Sequence, residues 1–136
     1  MGIAKQIGDM GEDIAEKYLK KRFWHILSRN FNVRGGEIDI IAYRFGVLAY
    51  FEVKTRRTDS YGSPAEAVDY KKIKHINTAA RQFIQLYGWG GRILVFYPFG
   101  IEKRRPIRSQ RIDVIEVYLK DNSTKINHIK NWGSQL

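Results

Sequence analysis

Three residues that could do chemistry stand within two short apolar runs of this 136-residue chain. Asp39 interrupts the run from Ile38 to Ala42, while Glu52 and Lys54 flank a valine at the end of the run from Val47 to Val53. A carboxylate in an apolar setting costs free energy unless a cation, a proton or hydrogen-bond donors accompany it. These residues therefore indicate a site that holds a positively charged partner.

The two runs are joined by Tyr43-Arg44-Phe45-Gly46, which predicts a β-hairpin. A turn centred between Phe45 and Gly46 places Asp39 opposite Glu52, and Glu37 opposite Lys54. Directly opposed side chains have Cβ atoms roughly 5 Å apart, so two carboxylates there repel unless a cation or a proton lies between them. Mg²⁺ and Mn²⁺, hard divalent cations with oxygen ligands, suit this arrangement. Lys54 would reach the same pocket and orient a water.

A fourth candidate lies on the first predicted helix. Apolar residues recur at helical spacing between Lys5 and Arg22. Glu12 falls at the edge of that apolar stripe, beside Leu19, so we expect it at the rim of a cleft. The alternative for all four candidates is a solvated polar face, because an isolated Glu-x-Lys carries little information. The residues alone leave both interpretations open.

Charge and composition narrow the class of protein. The 24 Lys and Arg residues exceed the 14 Asp and Glu residues, which gives a net charge of +10. That excess favours nucleic acid as partner, ahead of a membrane surface or an acidic protein. The absence of Cys excludes disulfides, thiolate nucleophiles and zinc-thiolate sites. No apolar run has the length of a membrane span, so we expect one cytoplasmic domain over residues 1–136, with no membrane partner.

The remaining strands follow from apolar and β-branched runs. Residues from Ile26 to Val33 predict a first strand, and the continuous apolar run from Ile93 to Tyr97 predicts a buried one. Arg111 to Leu119 and Lys125 to Ile129 predict a closing hairpin. Together with the helices, these strands predict an α/β fold with a central mixed sheet.

A second helix is predicted from turn and capping residues. Ser63 as N-cap, Pro64 at the first helical position and Glu66 three residues after the cap form a capping box. Gly88 ends the helix. Lysines crowd its first half, where they would contact phosphate in a nuclease or solvent in any other protein.

A group of basic residues follows the predicted buried strand, in a predicted loop that cannot bury them. Its members are Lys103, Arg104, Arg105, Arg108 and Arg111. Five cations so close together would attract a phosphate backbone, with an affinity that falls steeply with salt. A basic loop without a partner is the alternative.

Six blocks of the sequence resemble, in order, the blocks of the YraN family, small bacterial proteins predicted to be nucleases of the PD-(D/E)XK type. The blocks are GEDIAEKYL (11–19), ILSRN (26–30), GEIDIIA (36–42), FEVKTR (51–56), SPAEAV (63–68) and RIDVIEV (111–117). The closing INHIKNW (126–132) also resembles the family's C-terminal block. The resemblance covers nearly the whole chain, with one departure, an added apolar run and basic segment at 93–110.

The resemblance implies a restriction-endonuclease-like fold and metal-dependent hydrolysis of phosphodiester bonds in DNA. Asp39 and Glu52 would then bind Mg²⁺ or Mn²⁺, with the backbone carbonyl of Val53 as a further ligand. Lys54 would position a water or stabilise developing negative charge. Glu12 matches the helix carboxylate that similar folds, including archaeal Holliday-junction resolvases, use as a further metal or water contact.

The resemblance also bears on the substrate. We expect Arg56 and Lys72 to contact DNA together with the basic group, because Lys72 occupies the place of a lysine typical of the family. Cleavage of a four-way junction would favour a homodimer. Two alternatives keep the fold without the reaction: a non-catalytic nucleic-acid-binding protein, and an interaction protein whose basic surface docks an acidic partner.

Overall fold

The computed structural model describes residues 2–57, 69–121 and 123–133. These residues form two α-helices, α1 at Ile3–Lys21 and α2 at Tyr70–Tyr87. They also form eight strands: β1 His25–Val33, β2 Gly36–Arg44, β3 Val47–Arg56, β4 Gly88–Trp89, β5 Arg92–Tyr97, β6 Ile101–Pro106, β7 Ser109–Lys120 and β8 Ser123–Ile129. A short 3₁₀ segment, Pro98–Gly100, joins β5 to β6.

Five of the strands form a mixed sheet in the order β1-β2-β3-β7-β8. All its neighbours are antiparallel except β3 and β7, which run parallel. Strands β4, β5 and β6 form a second, antiparallel sheet. The prediction of an α/β fold with a central mixed sheet flanked by helices is therefore confirmed.

The two helices cover opposite faces of the five-stranded sheet. Successive side chains of a strand point to opposite faces, so a strand that is apolar throughout needs cover on both sides. The α1 face is lined by Ile40, Ala42, Ala49, Phe51, Ile115 and Val117, and the α2 face by Ile41, Tyr43, Leu48, Tyr50 and Val114. Within the described ranges, neither helix is long and apolar enough to cross a membrane.

The predicted hairpin has the register expected from its turn. Arg44 pairs with Val47, and Ile40 pairs with Phe51, which continues toward Asp39 on β2. Both strands extend beyond the predicted runs, since β2 begins at Gly36 and β3 ends at Arg56. The first helix, the first strand and the closing hairpin of β7 and β8 are also confirmed.

Two predictions around the second sheet hold only in part. The predicted strand at 93–97 is confirmed as β5, but Ile93 and Val95 are buried while Phe96 is 53% exposed, so the strand is covered on one face rather than both. Most of the basic group does not form a loop, because its first three members lie on β6, paired with β5, and Arg111 lies on β7; Arg108 lies between these two strands. As an edge strand, β6 pairs its backbone with β5 on one side and leaves its charged side chains in water.

The predicted capping box of the second helix lies in residues 58–68, outside the described residues. Where the structure describes α2, Asp69 is its N-cap, and its side chain accepts a hydrogen bond from the N–H of Lys72 at 3.2 Å. The helix ends at Gly88, as predicted.

Two glycines let the helices approach the sheet closely. A Cβ added at Gly11 of α1 would overlap the side chain of Thr55 on β3, and one added at Gly36 of β2 would come within 2.8 Å of the backbone N of Ala79 on α2. Each glycine is followed by a carboxylate, Glu12 or Glu37. Close packing at these two points therefore places Glu12 near the sheet and α2 near Glu37.

We predict that Gly11→Ala lowers the free energy of unfolding by about 1–3 kcal/mol, because the added methyl group overpacks the contact with Thr55. Gly8→Ala is the matched control in the same helix, since nothing lies within 4 Å of a Cβ there. It should raise stability by about 0.5–1 kcal/mol through helix propensity. Urea denaturation of both variants measures the difference, and equal effects would contradict close packing at Gly11.

Candidate functional site

The β2–β3 hairpin brings Asp39 and Glu52 together beyond its last paired residues. Oδ2 of Asp39 accepts a hydrogen bond of 2.8 Å from the backbone N–H of Val53. The Asp39 and Glu52 side chains are close enough for the charge of Asp39 to raise the pKa of Glu52. The strand pairing thus aims two carboxylates at one point.

The electrostatics of this pair favour a proton or a cation. Burial raises the pKa of Glu52 to about 8, and the hydrogen bond and charge of Asp39 add to the rise. The Glu52 side chain is only 11% exposed. Two carboxylates this close repel unless a cation or a proton compensates, and the raised pKa of Glu52 favours its protonated form when no cation is bound.

Lys72 of α2 supplies the nearest compensating charge. Its Nζ lies 2.8 Å from Oε1 of Glu37 and 3.3 Å from Oε2 of Glu52. Burial works to lower the pKa of Lys72, but the hydrogen bond to Glu37 and the charge of Glu52 outweigh it and raise that pKa. The hydrogen bond from Lys72 lowers the pKa of Glu37. Lys72 is therefore a charged bridge between two of the acidic residues.

Glu12 approaches the same pair from α1. Burial raises the pKa of Glu12, and the charge of Asp39 adds to that rise, against a hydrogen bond from Arg29. Arg29 on β1 lies 3.3 Å from Glu12 and also contacts Asp13 at 2.7 Å and Glu16 at 3.5 Å. Arg29 therefore holds Glu12 in place at the rim of the site.

Lys54 and Arg56 extend the site along β3. Nζ of Lys54 lies 5.4 Å from the centre of the Trp132 ring. The backbone of Lys54 lies opposite that of Glu116 where β3 and β7 pair. Arg56 donates to Glu116 at 2.9 Å, and so does Asn127. Burial works to raise the pKa of Glu116, but these hydrogen bonds outweigh it, so its pKa lies below the usual range.

The carboxylate oxygens of the site fit a hard divalent cation that takes only part of its coordination shell from the protein. No three His, Asp or Glu side chains of the described residues converge as a ready-made metal site. Asp39 and Glu52 provide two carboxylates, and Mg²⁺ is commonly bound through one or two carboxylates plus waters and substrate phosphates. Mutual repulsion of the pair makes such an ion an alternative to a proton on Glu52.

The structure separates the basic residues predicted to bind DNA into two groups. Lys72 lies at the carboxylates, in an ion pair with Glu52, and Arg56 lies further along β3, in an ion pair with Glu116. The N–H of Arg108 donates to the carbonyl of Gly46 at the β2–β3 turn. At about 3.4 Å per strand residue, this turn lies roughly 20 Å from Asp39 along β2. Arg111 donates from Nε to Asp113 at 3.1 Å. The other members, on β6, are Lys103, Arg104 and Arg105.

Two acidic residues that pair with site residues are not among the predicted site residues. Glu37 is predicted opposite Lys54 but without a role, and its partner is Lys72. Glu116, the partner of Arg56, is buried within the apolar strand β7. A carboxylate inside an apolar run is the signal used for Asp39, and the same signal marks Glu116.

Fold and site together define an α/β protein with a carboxylate and lysine cluster at one end of a mixed sheet. The model of "Uncharacterised protein family UPF0102" matches residues 11–117. A UPF0102 protein of Alkaliphilus metalliredigens is 36% identical over 129 residues, 95% of this chain and 98% of that protein. One of Clostridium beijerinckii is 41% identical over 131 residues, 95% and 94% of the two chains. The chain belongs to the UPF0102 family, which is YraN-like.

Glu52→Gln should change how stability depends on pH. The folded pKa of about 8 exceeds the ordinary value of 4.5, so the native state keeps a proton that the unfolded chain releases, and stability falls as pH rises from 4.5 to 8. Glutamine removes this loss. With a chelator present, the variant should gain on the order of 2 kcal/mol over the wild type at pH 8.5 relative to pH 4.5.

Glu37→Gln is the control, because its more exposed carboxylate has a lowered pKa. It should lose a little stability at neutral pH relative to acid pH, the opposite direction. Urea denaturation at several pH values measures both variants. Parallel curves for Glu52→Gln and the wild type would contradict a protonated Glu52.

Proposed function

We propose that this chain is a metal-dependent DNA endonuclease with a restriction-endonuclease-like fold, acting on branched or otherwise structured DNA. The observation that carries the proposal is the convergence of Asp39 and Glu52 beside Lys54 and Lys72 at one end of the sheet. A buried and a half-buried carboxylate with lysines nearby suit metal-assisted phosphodiester hydrolysis. A cytoplasmic location and a homodimer, as junction cleavage would favour, complete the proposal.

Asp39 and Glu52 would hold Mg²⁺ or Mn²⁺, with the carbonyl of Val53 as a further ligand. When bound, the ion supplies positive charge that polarises the scissile phosphate and lowers the pKa of an attacking water. The hydrogen bond from the N–H of Val53 keeps Asp39 aimed at this point, so no reorganisation of that side chain is needed.

The lysines and Arg56 act on the substrate side. Lys54 orients the attacking water or stabilises negative charge as it develops, with its ammonium group held near the ring of buried Trp132. Lys72 exchanges its contact with Glu52 for a phosphate oxygen once the carboxylates have another cation. Arg56 offers positive charge from the same strand, positioned by Glu116.

The charge of the protein supports a macromolecular substrate. Asp39 and Glu52 form an acidic point on a chain of net charge +10. The surplus of positive charge suits a polyanion that brings its own phosphate to the metal.

The internal ion pairs favour a second candidate. Arg56 with Glu116 and Lys72 with Glu37 and Glu52 neutralise much of the acidic cluster without a metal. A protein that binds nucleic acid without cleaving it needs only such pairs. Cleavage assays separate the two candidates.

We predict that the wild type cleaves DNA only with Mg²⁺ or Mn²⁺, and that Glu52→Gln and Lys54→Met each reduce the rate by about 100-fold or more. Linear duplex, single strands and a four-way junction serve as substrates, with products resolved on denaturing gels. Both variants remove charge from the site while keeping side-chain size.

Glu102→Gln is the control for loss of a carboxylate, because Glu102 is exposed on β6 in the second sheet. Its cleavage rate should equal that of the wild type. Metal binding by the wild type without cleavage of any substrate would support the non-catalytic candidate, and equal rates for all variants would contradict the assigned residues.

A further inference from the structure

Three phenylalanines occupy backbone positions that normally belong to glycine or asparagine. Phe23, Phe45 and Phe99 have φ of 69°, 48° and 65°. A bulky side chain in the left-handed region is an outlier that costs free energy, and such outliers cluster at functional sites. All three rings are exposed, so burial of the ring does not offset the free-energy cost of the backbone conformation.

Phe23 closes helix α1. Its N–H donates to the carbonyl of Lys20 at 3.1 Å, and the N–H of Trp24 donates to the carbonyl of Leu19 at 3.1 Å. This pair of bonds is a Schellman motif, in which the residue at the Phe23 position is usually glycine. Phe23 is instead 72% exposed, so the motif presents an aromatic ring to solvent.

Phe45 does the same at the β2–β3 turn. Arg44 pairs with Val47, which leaves Phe45 and Gly46 as a two-residue turn with both φ values positive, at 48° and 86°. That turn type strongly prefers Asn-Gly. Phe45 is 82% exposed, and the guanidinium carbon of Arg44 lies 6.0 Å from its ring centre.

Phe23 and Phe45 border one cleft of about 550 Å³. Its other aromatic and basic lining residues are His25, Tyr43, Tyr97, Arg105 and Arg108. The rings of His25 and Tyr97 lie 4.7 Å apart, and Arg105 donates to the Tyr97 hydroxyl at 2.9 Å. No carboxylate belongs to the lining formed by the described residues. We call this surface the aromatic cleft.

We propose that the aromatic cleft binds a segment of single-stranded nucleic acid, with unpaired bases stacked on Phe23 and Phe45 and phosphates held by Arg105 and Arg108. Exposed aromatic rings beside a basic groove are how proteins bind single strands without reading their sequence. Arginine without a neighbouring carboxylate suits phosphate, whereas a protein partner would gain more from a larger apolar patch.

The proposed site is distinct from the carboxylates. Phe45 stands at the opposite end of β2 from Asp39, roughly 20 Å away at about 3.4 Å per residue. Binding there goes beyond the cleavage chemistry and needs no metal. A chain that holds an unpaired segment at one end of its sheet would select DNA with flaps or splayed strands over an intact duplex.

The test is fluorescence anisotropy of labelled 15-residue oligothymidine and oligouridine, in a chelator, with wild type and the double variant Phe23→Asn/Phe45→Asn. Asparagine tolerates positive φ, so the variant should unfold at the same temperature as the wild type or higher. We expect its affinity for the oligomers to fall at least about tenfold, since each stacked base contributes substantially. The two oligomers distinguish DNA from RNA as the ligand.

Two matched controls define the outcome. Phe23→Tyr/Phe45→Tyr keeps both rings and should keep wild-type affinity, and Leu86→Asn removes an exposed apolar side chain from α2 without effect. Arg108→Ala should reduce the slope of log affinity against log salt by about one. Affinity within twofold of wild type in the asparagine variant overturns the proposal. Self-association lost in that variant with unchanged affinity would likewise overturn it, in favour of an interface between copies.

Discussion

Repulsion between Asp39 and Glu52 is the constraint on which the site depends. The hairpin register places the two carboxylates together, and burial leaves them little water to separate their charges. The N–H of Val53, the ammonium of Lys72 and a retained proton offset the repulsion between the carboxylates. The surrounding fold keeps the two carboxylates close despite the free-energy cost of their repulsion. This arrangement favours the binding of a cation between them.

Residues of both helices, of the β2–β3 hairpin and of β7 form this cluster. Gly11 and Gly36 bring the two helices close enough for Glu12 and Lys72 to reach the carboxylates. The parallel strand β7 places Glu116 beside β3, where it orients Arg56. At the other end of the same hairpin, the aromatic cleft has the opposite character, with rings and arginines and no acids. One hairpin thus carries a charge-rich end, where we propose the chemistry, and an aromatic end, where we propose that a single strand binds.

The sequence predicts the hairpin that carries Asp39 and Glu52 well and its surroundings poorly. Turn residues and alternation determine the register that brings Asp39 and Glu52 close together, because register follows from turn geometry. The basic residues of β6 read as a loop, since an edge strand exposed to water lacks the apolar pattern that marks strands. No sequence rule anticipates Phe23 and Phe45 at positive φ, because turn preferences there favour glycine and asparagine. Glu116 was accessible by the same reasoning as Asp39.

The central claim is that Asp39 and Glu52 hold a divalent cation. Asp39→Asn tests it with little change in shape, because the amide oxygen can still accept the hydrogen bond from Val53. Isothermal calorimetry of Mn²⁺ at pH 7 in two buffers of different ionisation enthalpy reports both binding and proton release. The account predicts saturable binding by the wild type with a proton released from the carboxylate pair, and no binding by the variant. Equal binding by both proteins, or none by either even with DNA present, would contradict it.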